Sequence, residues 1–195
     1  LPTGMVSGKG PAAVTIDLVK GAAGKLSLTS NLAGIGLSIP EIGWAKAAAS
    51  KGRLVADVTL GAVPKVDRLT LDAGGLKAEG KVTMRADGGG LDLARFDRVT
   101  LDKWLDSTVE LSGRGPGKPV GIALKGGSVD LRHVPGADQR GSGKGGAKPG
   151  PLRLDLDRLI VTSNIALTNF SGDFSLAPGF SGDFTAQMNG GPEVT

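Results

Sequence analysis

Residues 76–87, LKAEGKVTMRAD, alternate in character along their whole length. Leu76, Ala78, Gly80, Val82, Met84 and Ala86 fall on one parity, while Lys77, Glu79, Lys81, Thr83, Arg85 and Asp87 fall on the other. A β-strand sends successive side chains to opposite faces, so this segment makes a strand with one apolar face and one charged face. A helix would scatter the same residues around its circumference. Gly74-Gly75 and Gly88-Gly89-Gly90 bound the strand as turn punctuation.

The rest of the chain repeats this design. Val14, Ile16 and Leu18 alternate, then Leu26 and Leu28, then Ile35, Leu37 and Ile39. The pattern resumes through Leu54, Ala56, Val58 and Leu60, and through Leu69, Leu71 and Ala73. Leu91 and Leu93 make one further strand, and Val99 and Leu101 the next. Val109 and Leu111 run to the turn 113–117, Val120, Ile122 and Leu124 run to Gly126-Gly127, and Val129 and Leu131 run back as a hairpin. Leu152, Leu154 and Leu156 follow, then Ile165 and Leu167, then a repeated FSGDF phrase at 170–174 and 180–184. The 33 glycines lie mostly between these runs and read as the turns of a meander of about fourteen strands. Aromatic residues are 4% of the chain and tyrosine is absent, so burial rests on Leu, Val, Ile and Ala.

Two places depart from the pattern. In 39–50, IPEIGWAKAAAS, Pro40 and the alanine run predict a short helix or a loop that folds Trp44 over an end of the sheet. Trp44 reads there as a capping aromatic rather than a membrane anchor. Residues 103–106, around Trp104, read as a corner or one helical turn. The expected organisation is a loose segment 1–11, a β-unit 12–134, a flexible Gly/Lys/Pro loop 135–150 and a continuation 151–195. Together these form one domain, expected to be an excised part of a longer polypeptide.

The chemistry of known active sites is missing from the sequence. There is no cysteine, hence no disulfide framework and no thiolate metal site, and His133 is the single histidine. GSGKGG at 141–146 matches a dinucleotide-binding spacing, but loop surrounds it where a strand and a helix are required. Asp155 and Asp157 share the wet parity of a strand and read as solubilising charges, not as an acid–base pair. The net charge of +4 is too small to imply a nucleic-acid partner. No window carries the run of apolar residues of a membrane-spanning helix. An enzyme is therefore not expected, nor a cofactor or metal, and no ring of converging polar groups is legible.

The phrases IPEIGWAKAAASKGRL, LTLDAGGLKAEGKVTM, IALKGGSVDLRHV, GPLRLDLDRLIVTSNIALTNFSGDF and FTAQMNGGPEVT resemble the AsmA-like C-terminal region of YhdP/TamB-type bacterial envelope proteins. The resemblance covers residues 12–195 and rests on strand phrases, not on a catalytic signature. It implies a long β-groove that spans the periplasm of a Gram-negative cell, in a full-length protein anchored in the inner membrane. Phospholipid acyl chains would lie along its apolar inside, on a route between inner and outer membranes.

Elementary physics leads the same way. A long sheet with one apolar face and no helices to cover it must close on itself or curl open around a partner. The expected fold is all-β: a strongly twisted antiparallel sheet curled into an open half-pipe, with at most one or two helical turns. The residues expected to line its groove are Leu54, Val58, Leu69, Leu71, Leu76, Val82, Met84, Leu91, Leu93, Val109, Leu111, Val120, Ile122, Leu124, Leu152, Leu154, Leu156, Phe174 and Phe184. The alternative is a closed β-sandwich or β-solenoid that serves as a binding or scaffold module of a secreted or surface protein.

Overall fold

The computed structural model describes residues 6–39, 44–135, 150–175, 181–189, 191 and 193–195. Alternating segments become strands throughout. Twelve strands form one sheet, and three short ones form a satellite. The satellite holds β1 (Val6–Gly8), β4 (Ile35–Ile39) and β5 (Trp44–Lys46). The large sheet runs from β2 (Ala12–Asp17) and β3 (Gly24–Ser30) through β6 (Gly52–Leu60), β7 (Lys65–Ala73), β8 (Leu76–Met84), β9 (Leu91–Leu101) and β10 (Leu105–Ser112). It continues through β11 (Gly121–Asp130), β12 (Pro151–Ile160), β13 (Ala166–Ser175), β14 (Ser181–Met188) and β15 (Glu193–Val194). The sheet is open: its outermost strands, β2 and β15, do not pair with each other. The helical content among the described residues is one 3-10 turn, Leu131–His133. The architecture is the all-β open sheet read from the alternation, not a closed sandwich or a solenoid.

β-Bulges recur on alternate strands. The register shifts by one residue in β7 near Asp67, in β9 near Asp97, in β11 at Gly126-Gly127 and in β13 near Asn169. Each bulge adds a residue on one strand and increases the local twist, which bends a sheet this wide. The sequence marks two of them. Val66-Asp67-Arg68-Leu69 and Phe96-Asp97-Arg98-Val99 each set two polar residues between two apolar ones. The extra residue returns both flanking apolar side chains to one face.

Several expectations are corrected. Gly126-Gly127 is not a hairpin turn but the bulge within the single strand β11, with both glycines at positive φ. An ideal Cβ on Gly127 would lie 2.0 Å from the Asp106 carbonyl oxygen, so only glycine fits this crossing. Leu91–Leu101 is one strand rather than two, because the Asp97-Arg98 bulge joins its halves. The described part of 39–50 holds a strand at Trp44–Lys46 and no helix, since β4 offers it an antiparallel partner. Residues 35–39 leave the main sheet for the satellite. Finally, β11 and β12 are parallel, so the sheet is not wholly antiparallel. Their connection must therefore be a crossover rather than a hairpin loop. Most of it, 136–149, lies outside the described residues, as does the turn 176–180 between the FSGDF copies.

The satellite is held by a buried lysine. Lys46 is 2% exposed, and its Nζ donates to the carbonyl oxygens of Leu32 (2.8 Å), Ile35 (2.8 Å), Ala47 (3.1 Å) and Ser50 (2.6 Å). Leu32 reaches this arrangement at φ 56°, with its N–H donating to Ser30 Oγ. A buried ammonium is tolerated when hydrogen bonds replace its hydration, and here main-chain carbonyls do so.

Candidate functional site

The candidate site is the apolar face of the large sheet. Directly paired residues share a face, so the registers define files of side chains across the strands. One file runs Val14–Leu28–Ala56–Leu69–Gly80–Phe96–Val109–Leu124–Leu154–Gly172–Phe184 from β2 to β14. A second runs Ile16–Leu26–Val58–Val66–Val82–Ala94–Leu111–Ile122–Leu152–Phe174–Gly182. Neither contains a polar side chain. At about 4.8 Å per strand, each gives an unbroken apolar track about 48 Å long. Most members are only partly buried, and at the β2 edge Val14 and Ile16 are 51% and 54% exposed.

One margin of the face is sealed. There the file Ala73–Leu76–Leu101–Leu105–Val129–Leu159–Leu167–Met188 crosses the sheet, and Leu101 is 1% exposed. Trp44, Trp104 and Val134 join the central members of this file in one buried cluster, with Leu37 and Ile39 of the satellite packed against it. The Trp44 indole N–H donates to the Gly74 carbonyl oxygen at 2.8 Å, which fixes the ring over the β7–β8 turn. Trp44 thus covers an end of the sheet, from a strand and not from a helix. Trp104 does so from the 102–104 turn. At the far strands the rings of Phe170, Phe174 and Phe184 stack, with centroids 6.2 and 5.3 Å apart. Phe174 lies over Gly172 and Gly182, whose missing side chains make room for it.

The structure distributes the sequence-derived lining residues over these files. Leu69, Val109, Leu124, Leu154 and Phe184 stand in the first, and Val58, Val82, Leu111, Ile122, Leu152 and Phe174 in the second. Leu54, Leu71 and Leu76 lie towards the sealed margin, and Leu156 pairs with Phe170. Met84 pairs with Leu91 at the opposite margin, and Val120 sits one residue before β11. Leu93 is different. It pairs with Thr83 and Ser112, on the face that carries Arg95, because the Asp97-Arg98 bulge reverses the parity of β9. Ala94 and Phe96 take the apolar side instead, a switch that the FDRV phrase signals.

The other face is charged and paired. Arg98 meets Asp106 through two hydrogen bonds of 3.0 and 2.7 Å, and Arg68 meets Asp57 at 3.0 Å. Arg95 and Lys125 converge on Glu110, and Arg153 bridges Asp155 and Asp173. Arg98 holds the Asp106 carboxyl below its usual range, Lys125 and then Arg95 do so for Glu110, and Arg153 with Ser171 for Asp155. Exposed pairs of this kind contribute about 0–1 kcal/mol each, so their effect is to keep this face wet and soluble. Asp130, 7% exposed, accepts from Arg132 and His133, which gives the one histidine a structural partner at the 3-10 turn.

Among the described residues no group of three or more metal-ligating side chains converges, and no helix is long and apolar enough to cross a membrane. No family model, curated protein or solved structure matches the chain.

Proposed function

We propose that this chain is a segment of a lipid conduit, in which phospholipid acyl chains lie along the apolar face while head groups remain in water. The observation that carries this reading is the pair of uninterrupted apolar files, only partly buried and crossing an open sheet. A continuous track without polar interruptions suits a hydrocarbon chain that slides, because apolar contact is non-directional. Each methylene removed from water contributes about 0.8 kcal/mol, so two acyl chains readily sustain occupancy. The resemblance to AsmA-like envelope proteins supports the same reading, with a periplasmic setting between inner and outer membranes.

A photo-crosslinking amino acid at Ile122 or Leu154 is expected to capture phospholipid, and one at Lys81, on the charged face, is not. Transfer of a fluorescent phospholipid between vesicles is expected to fall in Ile122→Arg and Leu154→Arg. Folded protein that crosslinks lipid at Lys81 but at neither apolar position overturns the reading.

A further inference from the structure

A polar cavity of about 230 Å³ opens where β12 turns into β13. Arg132, Arg158, Thr162, Ser163, Asn164 and Asn189 form its polar wall, and among the described residues no acidic side chain lines it. These residues come from the 3-10 turn after β11, from β12 and the turn that follows it, and from the end of β14. The turn is rigidly built: Thr162 Oγ1 accepts from the N–H groups of Asn164 (3.3 Å) and Ile165 (3.1 Å). Asn189 locks it from outside, accepting from Ala166 N at 2.8 Å and donating to Asn164 O at 3.2 Å.

Donors remain unused in this frame. Arg132 spends its Nε and Nη2 on Asp130, at 2.8 and 2.6 Å, which orients the guanidinium and leaves Nη1 without a partner among the described residues. Arg158 differs from Arg68, Arg95, Arg98 and Arg153, which stand in ion pairs on the same charged face. It lies opposite Ser128 and Thr168, with no carboxylate partner among the described residues. The Ser163 hydroxyl likewise has no partner among the described residues. One uncompensated guanidinium, a second held by its edge, and neighbouring hydroxyl and amide groups match the oxygens of a phosphoryl group, which a planar guanidinium fork recognises in two-point fashion.

We propose that this cavity binds a phosphoryl group, as a monoester or a diester. The proposal stands on the cavity and not on the reading of the apolar face. The ligand chemistry has two possible sources, a soluble phosphate ester or a phospholipid head group, and the experiment separates them. In ¹⁵N-labelled protein, the amides of Ser163 and Asn164 and the Arg158 Nε–H are followed while inorganic phosphate, then sn-glycerol 3-phosphate, replaces chloride at constant ionic strength. In parallel, flotation is measured with phosphatidylcholine vesicles, with and without phosphatidylglycerol. A soluble source gives saturable shifts that weaken about tenfold in Arg158→Gln and are unchanged in Arg153→Gln. A lipid source gives vesicle binding that is lost in Arg158→Gln and kept in Arg153→Gln. Linear shifts identical in all three proteins, with vesicle binding unaffected by Arg158→Gln, overturn the proposal.

Discussion

Leu93 and Ala94 are neighbours in sequence that the β9 bulge places on opposite faces, and one substitution tried at both positions tests that geometry. Ala94 is 3% exposed and stands in the apolar file between Val82 and Leu111. Ala94→Glu forces a larger side chain into that file and buries a carboxylate with no cation on its face. Overpacking costs roughly 1–3 kcal/mol, and an unpaired polar group adds about the same or more, so a loss of about 4 kcal/mol is expected. Leu93 is only half-buried, on the face of Arg95 and Lys81, where a glutamate stays solvated beside cations. Leu93→Glu is expected to cost at most about 1 kcal/mol. The assay is urea unfolding followed by Trp emission. With a slope of about 2–3 kcal/mol per molar, Ala94→Glu lowers the midpoint by about 1.5 M and Leu93→Glu by less than about 0.5 M. The contrast is also pH-dependent. Burial raises the folded-state pKa of the new carboxyl at 94, so its penalty is complete above that pKa and shrinks towards pH 4. Equal losses at the two sites, or a larger loss at Leu93, would falsify the bulge and the assignment of faces.

Lys46→Met leaves main-chain carbonyls without a donor and is expected to cost about 3 kcal/mol; hydrogen exchange should increase first in β4 and β5, and unchanged exchange there refutes the role given to the ammonium. Gly127→Val meets both a positive φ and the Asp106 carbonyl, so a destabilisation of several kcal/mol is expected in chemical denaturation, against near-neutrality for Gly61→Ala, where φ is not positive and the nearest atom is the Val63 carbonyl oxygen at 3.8 Å. The Asp130 carboxyl is held well below its usual range chiefly by Arg132, so it stabilises the fold above the unfolded-state value near 3.8 and loses that contribution as pH falls further; Asp130→Asn should flatten the acid limb of a stability–pH curve, and an unchanged limb refutes this. The crossover 136–149 must return along a ten-residue strand, about 33 Å, so a fourteen-residue Gly-Ser replacement is expected to keep the melting temperature within a few degrees, while a six-residue one, reaching about 20 Å, is expected to unfold β12.

The alternation of apolar and polar residues by itself determined that the fold is all-β and which residues carry the apolar parity in β3, β6, β8 and β10, and its interruption at 39–50 pointed to Trp44 over an end of the sheet. A period of two is a local property of the backbone, so it is legible wherever it runs unbroken. The β7 and β9 bulges were also written locally, in VDRL and FDRV, as two polar residues between two apolar ones. Their effect on Leu93 and Ala94 still depends on which neighbouring strand absorbs the extra residue. What only the tertiary structure decided is strand direction and convergence. Gly126-Gly127 looks like a hairpin turn in the sequence, because the same two glycines suit a turn or a bulge and the choice belongs to the partner strands β10 and β12. The parallel pairing of β11 and β12 follows from that choice. The pairing in turn brings Arg132 to the same cavity as Arg158, Ser163 and Asn189, residues that no spacing rule connects. The Lys46 cage has the same origin: a lysine in an alanine-rich stretch is exposed by default, and four carbonyls become its solvent only when β4 and β5 fold over them.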